Sequence, residues 1–213
     1  MKIEVKNVSK KFNDNLVIDN ISLEFESGKC YGLYGRNGSG KSVFLKLLAG
    51  LYIPTFGSII VDNHDITKEN IYPKDVRALI EHPSFFPDIS GYENLKLLAE
   101  IQNKISADEI LKALEVVDLK DDKDKKFSKY SLGMKQKLGV AQAIMEDPEI
   151  MLFDEPFNGI ERETVAKISE YINMKKREGK IIIISSHIIG DLDDISDIIY
   201  EFDNGKIVGT KNE

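Results

Sequence analysis

Eight consecutive residues, Gly35-Arg36-Asn37-Gly38-Ser39-Gly40-Lys41-Ser42, carry the densest chemistry in the chain. They fit the pattern G-x-x-x-x-G-K-[ST], in which glycines let successive backbone N–H groups turn toward one point. That point suits a phosphate. The N-terminus of a following helix adds its positive end, Lys41 reaches the β- and γ-phosphates, and the Ser42 hydroxyl takes one position around Mg²⁺. The pattern has force only between a strand and a helix, and both are legible. Residues 30–34 read as a strand, and KSVFLKLLAGL spaces Val43/Leu47 and Phe44/Leu48/Leu51 as a helix does, with Gly50 near its end.

A second constellation lies 113 residues after Lys41, where the apolar run Ile150-Met-Leu-Phe ends in Asp154-Glu155. A buried strand that ends in two carboxylates delivers both to the carboxyl edge of a sheet, where α/β ligand sites form. Asp154 is placed to hold Mg²⁺, directly or through water, and Glu155 to orient and deprotonate an attacking water. On its own an Asp-Glu pair after a strand is usually a solvated turn. Its pairing with the phosphate cradle gives it meaning.

The elements that must position these groups alternate between strand and helix. Residues 2–6 and 21–25 alternate apolar and polar as half-buried antiparallel strands do, with a turn at 27–29. From about 90 to 146 the pattern is helical: GYENLKLLAEIQ, SADEILKALEVVDL behind a Ser106/Glu109 capping box, and SLGMKQKLGVAQAIME. Two all-apolar strands, 150–153 and 181–184, flank a polar helix of about five turns, and such runs suit parallel strands covered on both faces. The expected fold is α/β, a P-loop NTPase with a mainly parallel core sheet, an N-terminal antiparallel β subdomain and an inserted helical subdomain. It forms one domain over 1–213, with the core at about 1–84 and 147–213 and the helical piece at about 85–146.

Composition narrows the partners. With 213 residues, 42% hydrophobic and 31% charged, the chain can bury a real core. Its formal net charge of -7 is opposite to the basic footprint of a nucleic-acid binder, so no nucleic-acid partner is expected. The mixed-sign run at 120–126 reads as a solvated loop. No apolar run is long enough to span a bilayer and the opening residues lack a secretory apolar block, so the expected location is the cytoplasm. The one cysteine, Cys30, reads as a small buried residue in a strand.

Taken together, these motifs resemble the ATP-binding subunit of ABC transporters over essentially the whole chain. Tyr130-Ser131-Leu132-Gly133-Met134 is similar to the signature usually written LSGGQ, where a Ser and a helix N-terminus form a second anion site. The resemblance implies that this segment caps the γ-phosphate held by the opposite subunit's cradle. It implies that Phe12 stacks on adenine, though a core aromatic fits that position equally well, and that His187, 32 residues after Glu155, contacts the γ-phosphate and the water. Phe157-Asn-Gly-Ile-Glu161 occupies the family's D-loop at the dimer seam. The implied ligands are ATP and Mg²⁺. The implied partners are a second ATP-binding subunit, identical or homologous, and separate transmembrane permease subunits that draw the chain to the cytoplasmic face of the membrane.

Departures from the family pattern are Leu132 and Met134 in the signature, Glu161 where Asp is usual, and Glu81 at the position of the Q-loop glutamine. Glu81 can still ligate Mg²⁺, but it adds negative charge near Asp154 and Glu155. The segments IEHPSFFPDISGYENL and YSLGMKQKLGVAQAI are most similar to the bacitracin-export and multidrug-export branch. Three other readings stay open at this point. A P-loop kinase or GTPase has no use for Ser131 and Gly133, and a guanine-reading N-K-x-D is missing at 103–106. A nontransport ABC ATPase typically carries a long coiled-coil insert or a second ATPase domain. A nucleotide-sensing module would follow if Glu81 slowed hydrolysis.

Overall fold

The computed structural model describes residues 1–69 and 71–212, arranged around two sheets. The N-terminal alternation belongs to β1 (Lys2–Phe12) and β2 (Asn15–Glu26), paired antiparallel across a turn at Asn13. Both strands outrun the alternation visible in sequence. Asn7 and Asn20, with φ of +50° and +52°, absorb register shifts that break the period of two without ending the ladder. β3 (Lys29–Tyr34) follows, and α1 (Lys41–Leu48) starts at the cradle lysine. The helix stops short of Leu51 because Ala49 caps it and Gly50 turns the chain at φ +72°. β4 (Phe56–Val61) and β5 (His64–Asp65) complete the first sheet in the order β2-β1-β4-β5, and a single turn, α2 (Ile66–Glu69), leads away from it.

β6 (Val76–Leu79) enters the second sheet. Three helices then intervene before the chain returns to it: α3 (Gly91–Gln102), α4 (Ala107–Val116) and α5 (Leu132–Ile144). α4 opens on the expected Ser106/Glu109 capping box, and α3 has one of the same form from Ser90 and Glu93. The chain then alternates through β7 (Ile150–Asp154), the sixteen-residue α6 (Arg162–Arg177), β8 (Ile181–Ser186), the short α7 (Gly190–Asp193), β9 (Ile198–Asp203) and β10 (Lys206–Asn212). The second sheet has the order β10-β9-β3-β8-β7-β6, and every pair in it is parallel except β9–β10.

Every residue of β7 and β8 is buried because the sheet separates two cores. Ile150, Leu152, Ile181 and Ile183 face a cluster with α1 and the first sheet, while Met151, Phe153, Ile182 and Ile184 face one built with α3 to α6. Alternate residues point opposite ways in a strand, so two apolar faces produce an unbroken apolar run. Cys30 sits fully buried in the second cluster, where loss of hydration pushes its thiol up to about 12 and keeps it unreactive. No described helix is long and apolar enough to cross a membrane.

Candidate functional site

β8 lies between β3 and β7, with Tyr34 opposite Ser186 and Asp154 opposite Ser185. The segments that follow β3, β7 and β8 therefore emerge side by side at one carboxyl edge. Gly35 is tied there by a hydrogen bond from its N–H to the Ser186 carbonyl at 3.3 Å. A Cβ on Gly35 would lie 2.3 Å from the Phe202 carbonyl, so only glycine lets the loop pass under β9. Gly38 meets no neighbour and is needed for its φ of +81°. Arg36 and Asn37 stay exposed at the loop tip, whereas Ser39 and Gly40 are buried. Gly205, in the β9–β10 turn, closes the far side by donating its N–H to the Ser39 carbonyl at 2.9 Å.

Lys41 is 5% exposed and its ammonium folds back into the loop, bonding the Gly35 carbonyl at 2.5 Å and the Arg36 carbonyl at 3.2 Å. It also lies 3.6 Å from Glu155 Oε1. Glu155 Oε2 is 2.8 Å from His187 Nδ1, so the cradle lysine, the carboxylate and the imidazole form a row along the sheet edge. Glu155 itself has φ +49°, a conformation that costs a non-glycine residue about 1–3 kcal/mol. Its N–H is held by the Ser185 carbonyl at 3.1 Å and by Ser185 Oγ at 3.2 Å. The same hydroxyl donates to Asp154 Oδ1 at 2.5 Å, fixing the buried Asp154 carboxylate. Ser185 is a site residue that the sequence reading missed. Its only signal was a polar Ser-Ser pair closing an otherwise apolar strand.

Two buried polar atoms at this edge, Ser39 Oγ and Glu155 Oε1, have no hydrogen-bond partner. Native structures rarely leave such atoms orphaned without a role, and beside a helix N-terminus and a buried lysine they suit a bound anion and water. Ser42, half-buried in the first turn of α1, and Asp154 supply one hydroxyl and one carboxylate. No three His, Cys, Asp or Glu side chains converge among the described residues. That donor set fits Mg²⁺, which keeps water and phosphate oxygens rather than taking an all-protein cage.

Glu81 carries its negative charge into an ion pair. Its side chain is 64% exposed and ion-paired with the ammonium of Lys46, which also lies 5.4 Å from the Tyr52 ring. The pairing raises the Lys46 pKa, and it offsets the extra charge that Glu81 introduces. Phe12 is 38% exposed at the β1–β2 hairpin, edge-on to Tyr52 with centroids 5.3 Å apart and Lys10 Nζ 5.0 Å from its own. It is a surface ring, not a core aromatic.

The signature segment opens α5. Ser131 is its N-cap, accepting from the Met134 N–H at 3.2 Å, and its own hydroxyl proton stays free to donate. Ser131 and Leu132 are exposed, while Gly133 and Met134 are partly covered. A surface cleft of about 1100 Å³ along α6, lined by Arg162, Glu170 and Arg177 among others, shares no residue with these motifs.

Comparison with known proteins identifies the family. Residues 18–158 match the family model described as ABC transporter. An uncharacterised ABC transporter ATP-binding protein, YybJ of Bacillus subtilis, is 42% identical over 205 residues, which span 96% of this chain and 94% of that one. The bacitracin transport ATP-binding protein BcrA of Enterococcus faecalis is 40% identical over 213 residues, 99% of this chain and 69% of its own. A solved dimer of an ATP-binding cassette with ADP and Pi superimposes with a TM-score of 0.89 at 22% identity, covering 99% of this chain and 98% of that one. The family match over residues 18–158 and the 42% identity to YybJ across nearly the whole of both chains place this chain in the ABC transporter family, as one of its ATP-binding, ATP-hydrolysing subunits.

Proposed function

We propose that two copies of this chain, or one copy and a close homologue, enclose two molecules of Mg-ATP, each between one subunit's 35–42 loop and the other's Ser131–Met134 segment. The motion of closing and reopening drives separate permease subunits at the cytoplasmic face of the membrane. In the candidate site, backbone N–H groups of residues 36–42 and the Lys41 ammonium bind the phosphates, and Phe12 offers a ring face to adenine. Ser42 and Asp154 would hold Mg²⁺, joined by Glu81 once its carboxylate leaves Lys46, and the ion would neutralise phosphate charge. Glu155 accepts the proton of the attacking water and His187 orients it. The observation that carries this reading is the row Lys41–Glu155–His187 at one strand edge, with Glu155 Oε1 buried and without a hydrogen-bond partner. Closure is favoured because phosphate makes charge-assisted hydrogen bonds to both halves, and hydrolysis removes that bridge.

The likeness to BcrA supports an exporter of a peptide antibiotic, drug or similar amphiphile. Affinity capture of the tagged chain from detergent-solubilised membranes should bring down a polytopic membrane protein that stimulates its ATPase. Capture of the chain with no integral membrane protein, in cells expressing the neighbouring reading frames, would overturn the transport role. Glu81 offers a sharper local test. If it leaves Lys46 for the metal, Glu81→Gln should raise the half-saturating Mg²⁺ concentration for hydrolysis about 3- to 10-fold, since a neutral amide is the weaker ligand for a hard cation. An unchanged Mg²⁺ dependence would confine Glu81 to its surface pair with Lys46.

A further inference from the structure

Three residues on one face of α5, at positions i, i+3 and i+4, hold the segment that follows β7. Gly133 packs so closely on it that a Cβ would lie 2.3 Å from the Gly159 carbonyl oxygen. Gln136, 7% exposed, donates from Nε2 to the Glu155 carbonyl at 3.0 Å and lies 3.4 Å from the Pro156 carbonyl. Lys137, also nearly buried, pairs with Glu161 Oε2 at 2.7 Å and holds that carboxyl below the usual carboxylate range. Glu155 is thus gripped on both sides of its Cα in the left-handed conformation: its N–H by Ser185, its carbonyl by Gln136. Without the amide of Gln136 two carbonyls lose a donor, and the Glu155 carbonyl keeps only the longer hydrogen bond from the Asn158 N–H at 3.3 Å.

We infer that Gln136 is a positioning residue for Glu155, and that α5 and the 155–161 segment move as one body, so that capture of the opposite subunit's nucleotide at Ser131 is felt at Glu155 of the same chain. The inference rests on the reading of Glu155 as the base. Gln136 touches no nucleotide; it acts through the backbone of its neighbour. The 35–42 loop is not part of this staple, so nucleotide affinity should be insensitive to it.

The test uses Gln136→Met, which keeps length and removes the donor, and Gln136→Asn, which keeps the amide but shortens its reach. Both should lower kcat for ATP about 10-fold or more while KM stays within about twofold. In a Glu155→Gln background neither should lower the residual rate further, because residues acting as a unit are not additive. Hydrogen exchange read by mass spectrometry should show that Mg-ATP protects the start of α5 and residues 157–161 together in the wild type, and that the two lose this coupling in Gln136→Met. A folded Gln136→Asn with unchanged kcat, or full additivity in the double variant, overturns the positioning role. If Glu155→Gln alone leaves kcat intact, the base assignment fails, yet coupled or uncoupled exchange still decides whether the staple operates.

Discussion

Glu155→Gln is expected to cut steady-state ATP hydrolysis by about 10²- to 10⁴-fold, the range typical of losing a positioned general base. The substitution is close to isosteric. Its amide can keep the contact with His187, and the Ser185 and Gln136 hydrogen bonds to the backbone of residue 155 do not involve the side chain. Folding and cradle geometry should therefore be preserved. Removing a carboxylate 3.6 Å from the Lys41 ammonium also leaves that charge free to meet phosphate, so affinity for Mg-ATP should hold or rise. Unable to turn over, the variant should accumulate as a nucleotide-bound dimer. Phosphate release reads the first effect, equilibrium dialysis the second and light scattering the third. Near-normal turnover would move the base elsewhere, and a strictly monomeric variant under saturating Mg-ATP, with every partner chain supplied, would remove the enclosed-nucleotide scheme.

The second large effect separates sites made within one chain from sites shared by two. Lys41→Ala removes charge-assisted hydrogen bonds to phosphate worth about 1.5–3 kcal/mol, or roughly 10- to 150-fold in affinity, and hydrolysis should be lost. Ser131→Glu puts a carboxylate where the opposite γ-phosphate is expected, at the exposed start of α5, and should be equally inactive without disturbing its own cradle. Mixed together, the two inactive chains should recover activity. In a heterodimer one site carries both lesions, while the other pairs an intact cradle with an intact signature. Random two-fold pairing makes about half of the dimers mixed, so roughly a quarter of wild-type activity is the ceiling. No recovery on mixing, with exchange of subunits shown by labelled protein, would mean that Ser131 serves its own chain or none.

The parts of the site that were legible in sequence are those whose chemistry is local. Gly35 to Ser42 and Asp154-Glu155 announce themselves because the loop, the strand before and the helix after lie within a few residues of each other. The Ser106/Glu109 box and the apolar 150–153 and 181–184 runs were readable for the same reason: one turn of helix, or two covered faces, leaves a period. What was not legible is how distant segments close on these motifs. Phe202 and Gly205 complete the floor and far wall of a loop that lies more than 160 residues earlier, and nothing periodic connects them. Ser185 and Gln136, which hold the backbone of Glu155, look in sequence like an ordinary strand end and a buried face of a helix. The Glu81–Lys46 pair was not legible either, because Lys46 is a commonplace residue on α1 that only the fold brings to Glu81.

β3, which launches the phosphate loop, finds its only strand neighbours among the described residues in β8 and β9. On a ribosome making about 5–20 residues each second, roughly 150 further residues must be added before that strand can pair, a delay of about 8–30 seconds. The nascent chain therefore carries its most diagnostic motif early and finishes it last. Until β8 and β9 have been synthesised the glycine loop has no edge to anchor it, so a partly made subunit should neither capture ATP nor engage a partner prematurely.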